Sequence, residues 1–177
     1  MKWTVHGERS IYSSAWVSLA LVDVEVPDGP RFEHHVVRRA LPAVGAVVHD
    51  PDRGVLLLWR HRFITDTWGW EVPAGGVDAG ESSEQAAARE VLEETGWEAG
   101  PLREMHGYHP SNGLSAQRFE LFAADGARHV GDPSDPGESE RVEWVPVERV
   151  RELVRDGQVL CGLSLSALLW WLAFEQA

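Results

Sequence analysis

Glu90, Glu93 and Glu94 stand at i, i+3 and i+4 in the run AAAREVLEETGW. If that run is helical, the three carboxylates share one face. Like charges at this spacing repel and destabilise a helix. A hard divalent cation removes the penalty. Mg²⁺, which takes oxygen ligands and works with substrate phosphates, suits such a site, with Mn²⁺ as the alternative ion. The cluster also falls in the last two turns, where the helix dipole favours a cation. An isolated E-x-x-E-E is most often a solvated acidic face, with a neighbour such as Arg89 as ion-pair partner. The flanking residues weigh against that here. Gly75, Glu81, Arg89, Glu90, Glu93, Glu94 and Gly96 form the pattern G-x5-E-x7-R-E-x-x-E-E-x-G. Seven fixed positions of about 7% frequency coincide by chance in about one chain in 10⁶ of this length. The spacing therefore carries information that composition does not.

Elements must hold these residues in place. Ser82 and Gln85 have capping-box spacing, which predicts a helix start there. Ala86, Ala87, Ala88 and Leu92 favour its continuation, and Gly96 can end it in the left-handed conformation. Upstream, residues 12–26 are rich in Val and Leu and predict one or two strands. Pro27, Asp28, Gly29 and Pro30 make a turn, and residues 31–39 a returning strand. Pro42 marks a boundary between an N-terminal antiparallel β arm, residues 1–41, and a main domain, residues 42–177. Further strands are predicted at 44–49, 55–59, 68–72, 102–108, 117–123 and 141–147. Residues 125–139, rich in Gly, Asp and Pro, read as a long loop of the kind that is often functional. Helices are predicted at 147–156 and 162–175. This order describes an α/β or α+β sandwich with a mixed sheet between helices.

Composition narrows the function classes. A formal net charge of −12 lacks the basic footprint of a nucleic-acid or anionic-membrane binder. It is compatible with a small phosphorylated substrate, because a bound metal inverts the local field. Cys161 is the single cysteine, so no disulfide can form within one chain, which suits a reducing cytoplasm. Its apolar neighbours predict a buried structural thiol. The first ten residues, MKWTVHGERS, lack an apolar signal-peptide core. The apolar run near the C-terminus, residues 163–174, is too short to span a bilayer.

With Val91 and Trp97 at its apolar positions, the glutamate pattern is the full Nudix box, and the chain resembles the Nudix hydrolase superfamily. The resemblance extends beyond the box. Trp70, Glu71, Val72, Pro73, Ala74 and Gly75 look like the run leading into the box in ADP-ribose pyrophosphatases. The strand ending Trp59, Arg60, His61, Arg62, and the segment Tyr108 to Ser115, look like their counterparts in that subfamily. Asn112 replaces the usual second proline of that segment, and Ala116 and Gln117 stand where acidic residues often follow. These departures bear on the substrate more than on the hydrolysis.

The resemblance implies a Nudix-type α/β/α sandwich and Mg²⁺-dependent cleavage of the diphosphate in ADP-ribose or a related nucleoside-diphosphate sugar. It implies Glu90 and Glu94 as principal metal ligands, Glu93 as a further ligand or one acting through water, and the Ala74 carbonyl as an additional ligand. Arg89 would orient a neighbouring glutamate, with Glu81 as a supporting carboxylate. A general base would come from the loop glutamates Glu138 and Glu140, of which Glu140 lies nearer the ordered strand. Arg62, with Arg38 and Arg60 behind it, is a candidate for phosphate or ribose. Trp16 and Trp68 are candidates for stacking on a base, and His106 and His109 are weaker site candidates. The N-terminal arm resembles one exchanged across a homodimer. A nucleoside-triphosphate hydrolase and a non-catalytic nucleotide-sugar sensor are the competing readings. Loss of a box glutamate would favour the sensor, and none is lost.

Overall fold

A computed structural model describes residues 1–39, 41–134 and 137–176. It contains two compact units, Met1–Leu41 with His109–Arg118, and Pro42–Tyr108 with Phe119–Ala177.

The first unit is a three-stranded antiparallel sheet of β1 (Thr4–Ser13), β2 (Ser18–Glu25) and β3 (Arg31–Arg38), with β2 in the centre. Only β2 carries a dense apolar pattern, and its Ala20, Leu21, Val22 and Val24 are buried. Opposite charges join its neighbours across the sheet. Arg9 Nε donates to Glu33 at 2.9 Å, and Arg38 Nη2 to Glu8 at 2.6 Å. β1 is the main departure from the predicted strands. It begins at Thr4, eight residues before the predicted start at Tyr12, and ends where Ser14 caps a turn to Val17. Its sequence, TVHGERSIYS, has no apolar alternation because every residue of the strand is exposed. The segment from His109 joins this unit through the Val37 N–H, which donates to the Leu114 carbonyl at 2.9 Å.

The second unit comprises, in chain order, β4 (Ala43–Asp50), β5 (Gly54–Arg62), β6 (Thr67–Glu71), β7 (Ala74–Gly76), α1 (Ser83–Thr95), β8 (Trp97–Ala99), β9 (Leu102–Tyr108), β10 (Phe119–Asp125), β11 (Ala127–His129), β12 (Arg141–Val145), α2 (Val147–Arg155) and α3 (Gly162–Phe174). The main sheet runs β12-β5-β4-β10-β9, with β6 added on β5 and β7 on β4. It is mixed, because β10 runs parallel to β4 while the other pairs are antiparallel. Its strands read as continuous apolar runs because both faces are covered. Val44, Ala46, Val48, Leu56 and Phe122 pack with Ala86, Ala87 and Val91 of α1. The alternate residues Val47, Val55, Leu57, Leu121 and Ala123 pack with α2 and α3 through Val150, Leu153, Leu163, Leu168 and Trp171. The layers are therefore helix, sheet and helix.

Two expectations are corrected here. The stretch predicted as one long loop contains β11, which pairs with β8. Asp135 and Pro136 of that stretch lie outside the described residues. Cys161 is half-buried at the N-cap of α3 instead of being enclosed in the core, because the apolar run around it begins a helix that buries only one face. Among the described residues, no helix is long and apolar enough to cross a membrane.

Candidate active site

The glutamates are set by the way α1 is fixed at both ends. Ser82 and Gln85 form the reciprocal capping box, with the Gln85 N–H donating to Ser82 Oγ at 3.1 Å and the Ser82 N–H to Gln85 Oε1 at 2.8 Å. Gly96 ends the helix at φ 74°, and an added Cβ there would lie 2.0 Å from the Gly131 carbonyl oxygen. With Ala86, Ala87 and Val91 facing the sheet, Glu90 and Glu94 lie along the helix flank that meets β7. The fit is close at Glu90: a Cβ on Gly75 would fall 2.1 Å from its carboxylate.

Glu94 is 2% exposed. Its Oε2 accepts from the Ala74 N–H at 2.8 Å, and its Oε1 from Arg60 Nη1 at 2.5 Å. Ala74 thus meets this carboxylate through its amide, whereas the carbonyl predicted as a ligand belongs to the next peptide, Ala74–Gly75. Arg89 gathers the remaining carboxylates. Its guanidinium donates to Glu81 at 2.7 Å, Glu90 at 2.8 Å, Glu93 at 3.0 Å and the Gly76 carbonyl at 2.9 Å. Glu81 also accepts from the Asp78 N–H at 2.7 Å, so it supports Arg89 from behind. Arg89 and that amide hold the Glu81 carboxyl below the ordinary range.

Burial dominates at Glu90 and Glu94. It raises Glu90 despite Arg89 beside it, and pushes Glu94 up to about 7 despite Arg60 and the Ala74 amide. These groups are therefore short of positive charge. Among the described residues, no three acidic, His or Cys side chains are spread as ligands around one point, and Arg60 and Arg89 pair with Glu94, Glu90 and Glu93. The donor set nevertheless fits a hard cation: it is all oxygen, desolvated and under-neutralised.

A pH dependence follows. Glu94 rises from the ordinary 4.5 to about 7 on folding. Between those values the folded chain keeps a proton that the unfolded chain has lost, so stability falls as pH rises through that window. The change from Glu94 is on the order of 3 kcal/mol, and Glu90 adds to it in the same direction. Glu81 and Glu138 are shifted downward, so their contributions are lost only below the window. Melting in chelator is expected to show a lower Tm at pH 8 than at pH 5.5, and added Mg²⁺ is expected to restore it at pH 8. A flat profile would mean that Arg60 fully compensates the buried carboxylate.

The loop glutamates separate clearly. Glu138 Oε2 accepts from Arg60 Nη2 at 2.7 Å, which brings it beside Glu94. Arg60 is the main cause that holds the Glu138 carboxyl below the ordinary range. Glu140, which the sequence favours slightly, is exposed just before β12, where its N–H donates to the Trp59 carbonyl at 2.9 Å. Proximity to the strand orders its backbone and leaves the inward position to Glu138.

Among the candidate substrate contacts, Arg62 grips the buried Glu71 through two bonds, at 2.9 Å and 2.5 Å, instead of standing free. Of these candidates, Arg60 is the one that reaches the glutamate cluster, at Glu94 and Glu138. Strand alternation puts Leu56, Leu58, Arg60 and Arg62 on one face of β5, so it does not separate Arg60 from Arg62. Trp68 is half-exposed and stacks on Trp59, with ring centroids 6.1 Å apart. Arg38 and Trp16 belong to the first unit, where Arg38 binds Glu8 and Trp16 is exposed on the turn after β1. His106 stacks on Trp170, and His109 bonds the Gln117 carbonyl within the first unit. A cavity of about 730 Å³ opens beside the cluster, walled by Arg60, Arg62, Glu71, Glu138, Leu160 and Cys161, with Phe63 and Ile64 at its rim.

Comparison with known proteins accounts for this geometry. Residues 39–160 match the NUDIX domain model. The chain belongs to the Nudix hydrolase family. Nudix hydrolases act on pyrophosphate bonds, generally with divalent metal ions. A CMP-5'-(N-acetyl-N-hydroxy-3-aminopropyl)phosphonate hydrolase of Streptomyces rubellomurinus is 37% identical over 96% of this chain and 82% of its own length. An ADP-ribose pyrophosphatase of Mycobacterium tuberculosis is 26% identical, over 91% of this chain and 79% of its own. A crystal structure of an ADP compounds hydrolase superposes with a TM-score of 0.87 at 21% identity, covering 99% of this chain and 95% of that one, which shows the shared fold.

Proposed function

We propose that this Nudix hydrolase cleaves the diphosphate of ADP-ribose or a related nucleoside-diphosphate sugar, releasing a nucleoside monophosphate and a sugar phosphate. The observation that carries this reading is the pair of desolvated, under-neutralised carboxylates Glu90 and Glu94 packed against Gly75 and Ala74, beside a cavity large enough for the group beyond the diphosphate. Glu90 and Glu94, with Glu93 and the Ala74 carbonyl, would hold Mg²⁺ or Mn²⁺, which neutralises phosphate charge and acidifies water when bound. Arg89 fixes Glu90 and Glu93 in place from behind. Glu138, ionised at neutral pH, takes a proton from the attacking water. The water oxygen bonds to one phosphorus as the bond from that phosphorus to the bridging oxygen breaks. The bridging oxygen leaves with the second phosphate. Of the candidate contacts for the remainder of the substrate, Arg62 lines this cavity.

The 37% identical relative favours a second reading, in which the group beyond the nucleotide is a phosphonate joined to CMP. The bond broken is then the P–O–P link between phosphate and phosphonate, and the residue roles are unchanged. Product analysis with Mg²⁺ and Mn²⁺ distinguishes the readings, using ADP-ribose, UDP- and GDP-sugars, a CMP-linked phosphonate and nucleoside triphosphates. Monophosphate plus sugar phosphate is the expected result. Monophosphate plus phosphonate would select the second reading. Pyrophosphate from a triphosphate would overturn both, and binding without turnover would point to a sensor.

The proposal includes a cytoplasmic homodimer. The single cysteine supports the compartment. The dimer is supported by Trp3, Val5, Ile11, Tyr12, Trp16 and Phe32, large apolar side chains left exposed on the first unit. Sedimentation showing a monomer at micromolar concentration would withdraw it.

A further inference from the structure

We propose that Arg60 is a positioning residue that suspends the loop glutamate Glu138 beside the catalytic carboxylates. The inference rests on the roles given above to Glu94 and Glu138. Arg60 lies on β5, is 6% exposed, and forks between two elements. Nη1 meets Glu94 of α1 at 2.5 Å, and Nη2 meets Glu138 of the loop before β12 at 2.7 Å. Its third nitrogen, Nε, is buried without a partner among the described residues. Burying a guanidinium with an unpaired N–H is costly. A residue needed only for stability at this strand position would be apolar, like Leu56 and Leu58 on the same face.

Two backbone hydrogen bonds hold Ser134 and Glu140, on either side of Glu138. The Ser134 N–H donates to the Glu93 carbonyl at 3.0 Å, and the Glu140 N–H to the Trp59 carbonyl at 2.9 Å. Between those anchors, Glu138 is half-exposed and has Arg60 as its counter-charge. A planar fork can serve two carboxylates on separate elements in one fixed geometry, which a lysine ammonium on a flexible stem cannot reproduce. The bond to Glu94 therefore sets the direction of the fork, and the fork sets Glu138.

The test combines amide hydrogen exchange with kinetics on the full chain. Arg60→Gln strands Glu94 and is the harsher change. Arg60→Lys keeps a cation beside Glu94 and is the variant expected to stay folded. In Arg60→Lys, the amides of residues 137–140 are expected to exchange at least about tenfold faster, while those of α1 keep their protection. Turnover is expected to fall by about 10- to 100-fold, with KM within about threefold of the wild type. Glu138→Gln is expected to lower turnover on its own and to add little in an Arg60→Lys background, because the two residues act as a unit. Unchanged loop exchange in both Arg60 variants, or losses that multiply in the double variant, would overturn the inference. Normal turnover by Glu138→Gln would instead overturn the proton-acceptor role, and the exchange data would still decide whether Arg60 tethers the loop.

Discussion

Glu94→Gln is expected to lower kcat/KM by at least about 10²-fold while leaving the chain folded. The metal's contribution to phosphoryl transfer is several kcal/mol, and each 1.36 kcal/mol is a factor of about ten in rate. An amide keeps an oxygen near the Ala74 N–H but removes the charge that would hold the ion. Folding is buffered in two ways. The substitution relieves the burial penalty that raises the Glu94 carboxyl, and Arg60 retains Glu138 as a partner. The assay is steady-state turnover over a Mg²⁺ titration, alongside thermal melting. Near-normal turnover at low Mg²⁺ would remove Glu94 from the ligand set. A collapsed melting transition would show that its main role is to neutralise Arg60.

Gly75→Ala is expected to separate activity from stability more sharply. The added methyl would sit 2.1 Å from the Glu90 carboxylate, against the 3.4 Å or more of an ordinary contact, so that carboxylate must move by roughly 1 Å. Misplacement on that scale costs about 10²-fold in rate. The backbone itself tolerates alanine, because Gly75 is not among the residues with positive φ. What must yield is the end of a flexible side chain, so the loss of stability is expected to stay below about 1 kcal/mol. Turnover falling by about 10² with Tm nearly unchanged is the expected pair of results. Full activity would mean that Glu90 works from more than one position.

The contrast between these variants and the strand predictions shows where sequence reading succeeds. The α1 helix was legible because its signals are local. The Ser82–Gln85 box, the alanines and Gly96 each act within a turn or two, and helix periodicity alone places Glu90, Glu93 and Glu94 on one face. The main sheet was legible as apolar runs, and the mixed sandwich followed from their order. By contrast, β1 was missed over most of its length. A fully exposed strand carries no apolar alternation, and its pairing with β2 is a tertiary fact. The short β7, β8 and β11 were missed for a related reason, since three residues are too few to show a period.

The sequence by itself determined the chemistry of the site: which carboxylates share one helix face, and that Arg89 neighbours them. Those properties follow from fixed spacing on a regular helix. Only the tertiary structure decided how the charges are partnered. Arg60 and Arg62 are two residues apart on the same face of β5, and the sequence favours Arg62 as the ligand contact. Packing commits Arg62 to the buried Glu71 and turns Arg60 toward Glu94. Glu138 and Glu140 are likewise two residues apart on one loop, and Arg60 draws in the one farther from the strand. A buried charge takes the counter-charge that the fold places within a few ångströms, and that distance is set by elements far apart in the chain.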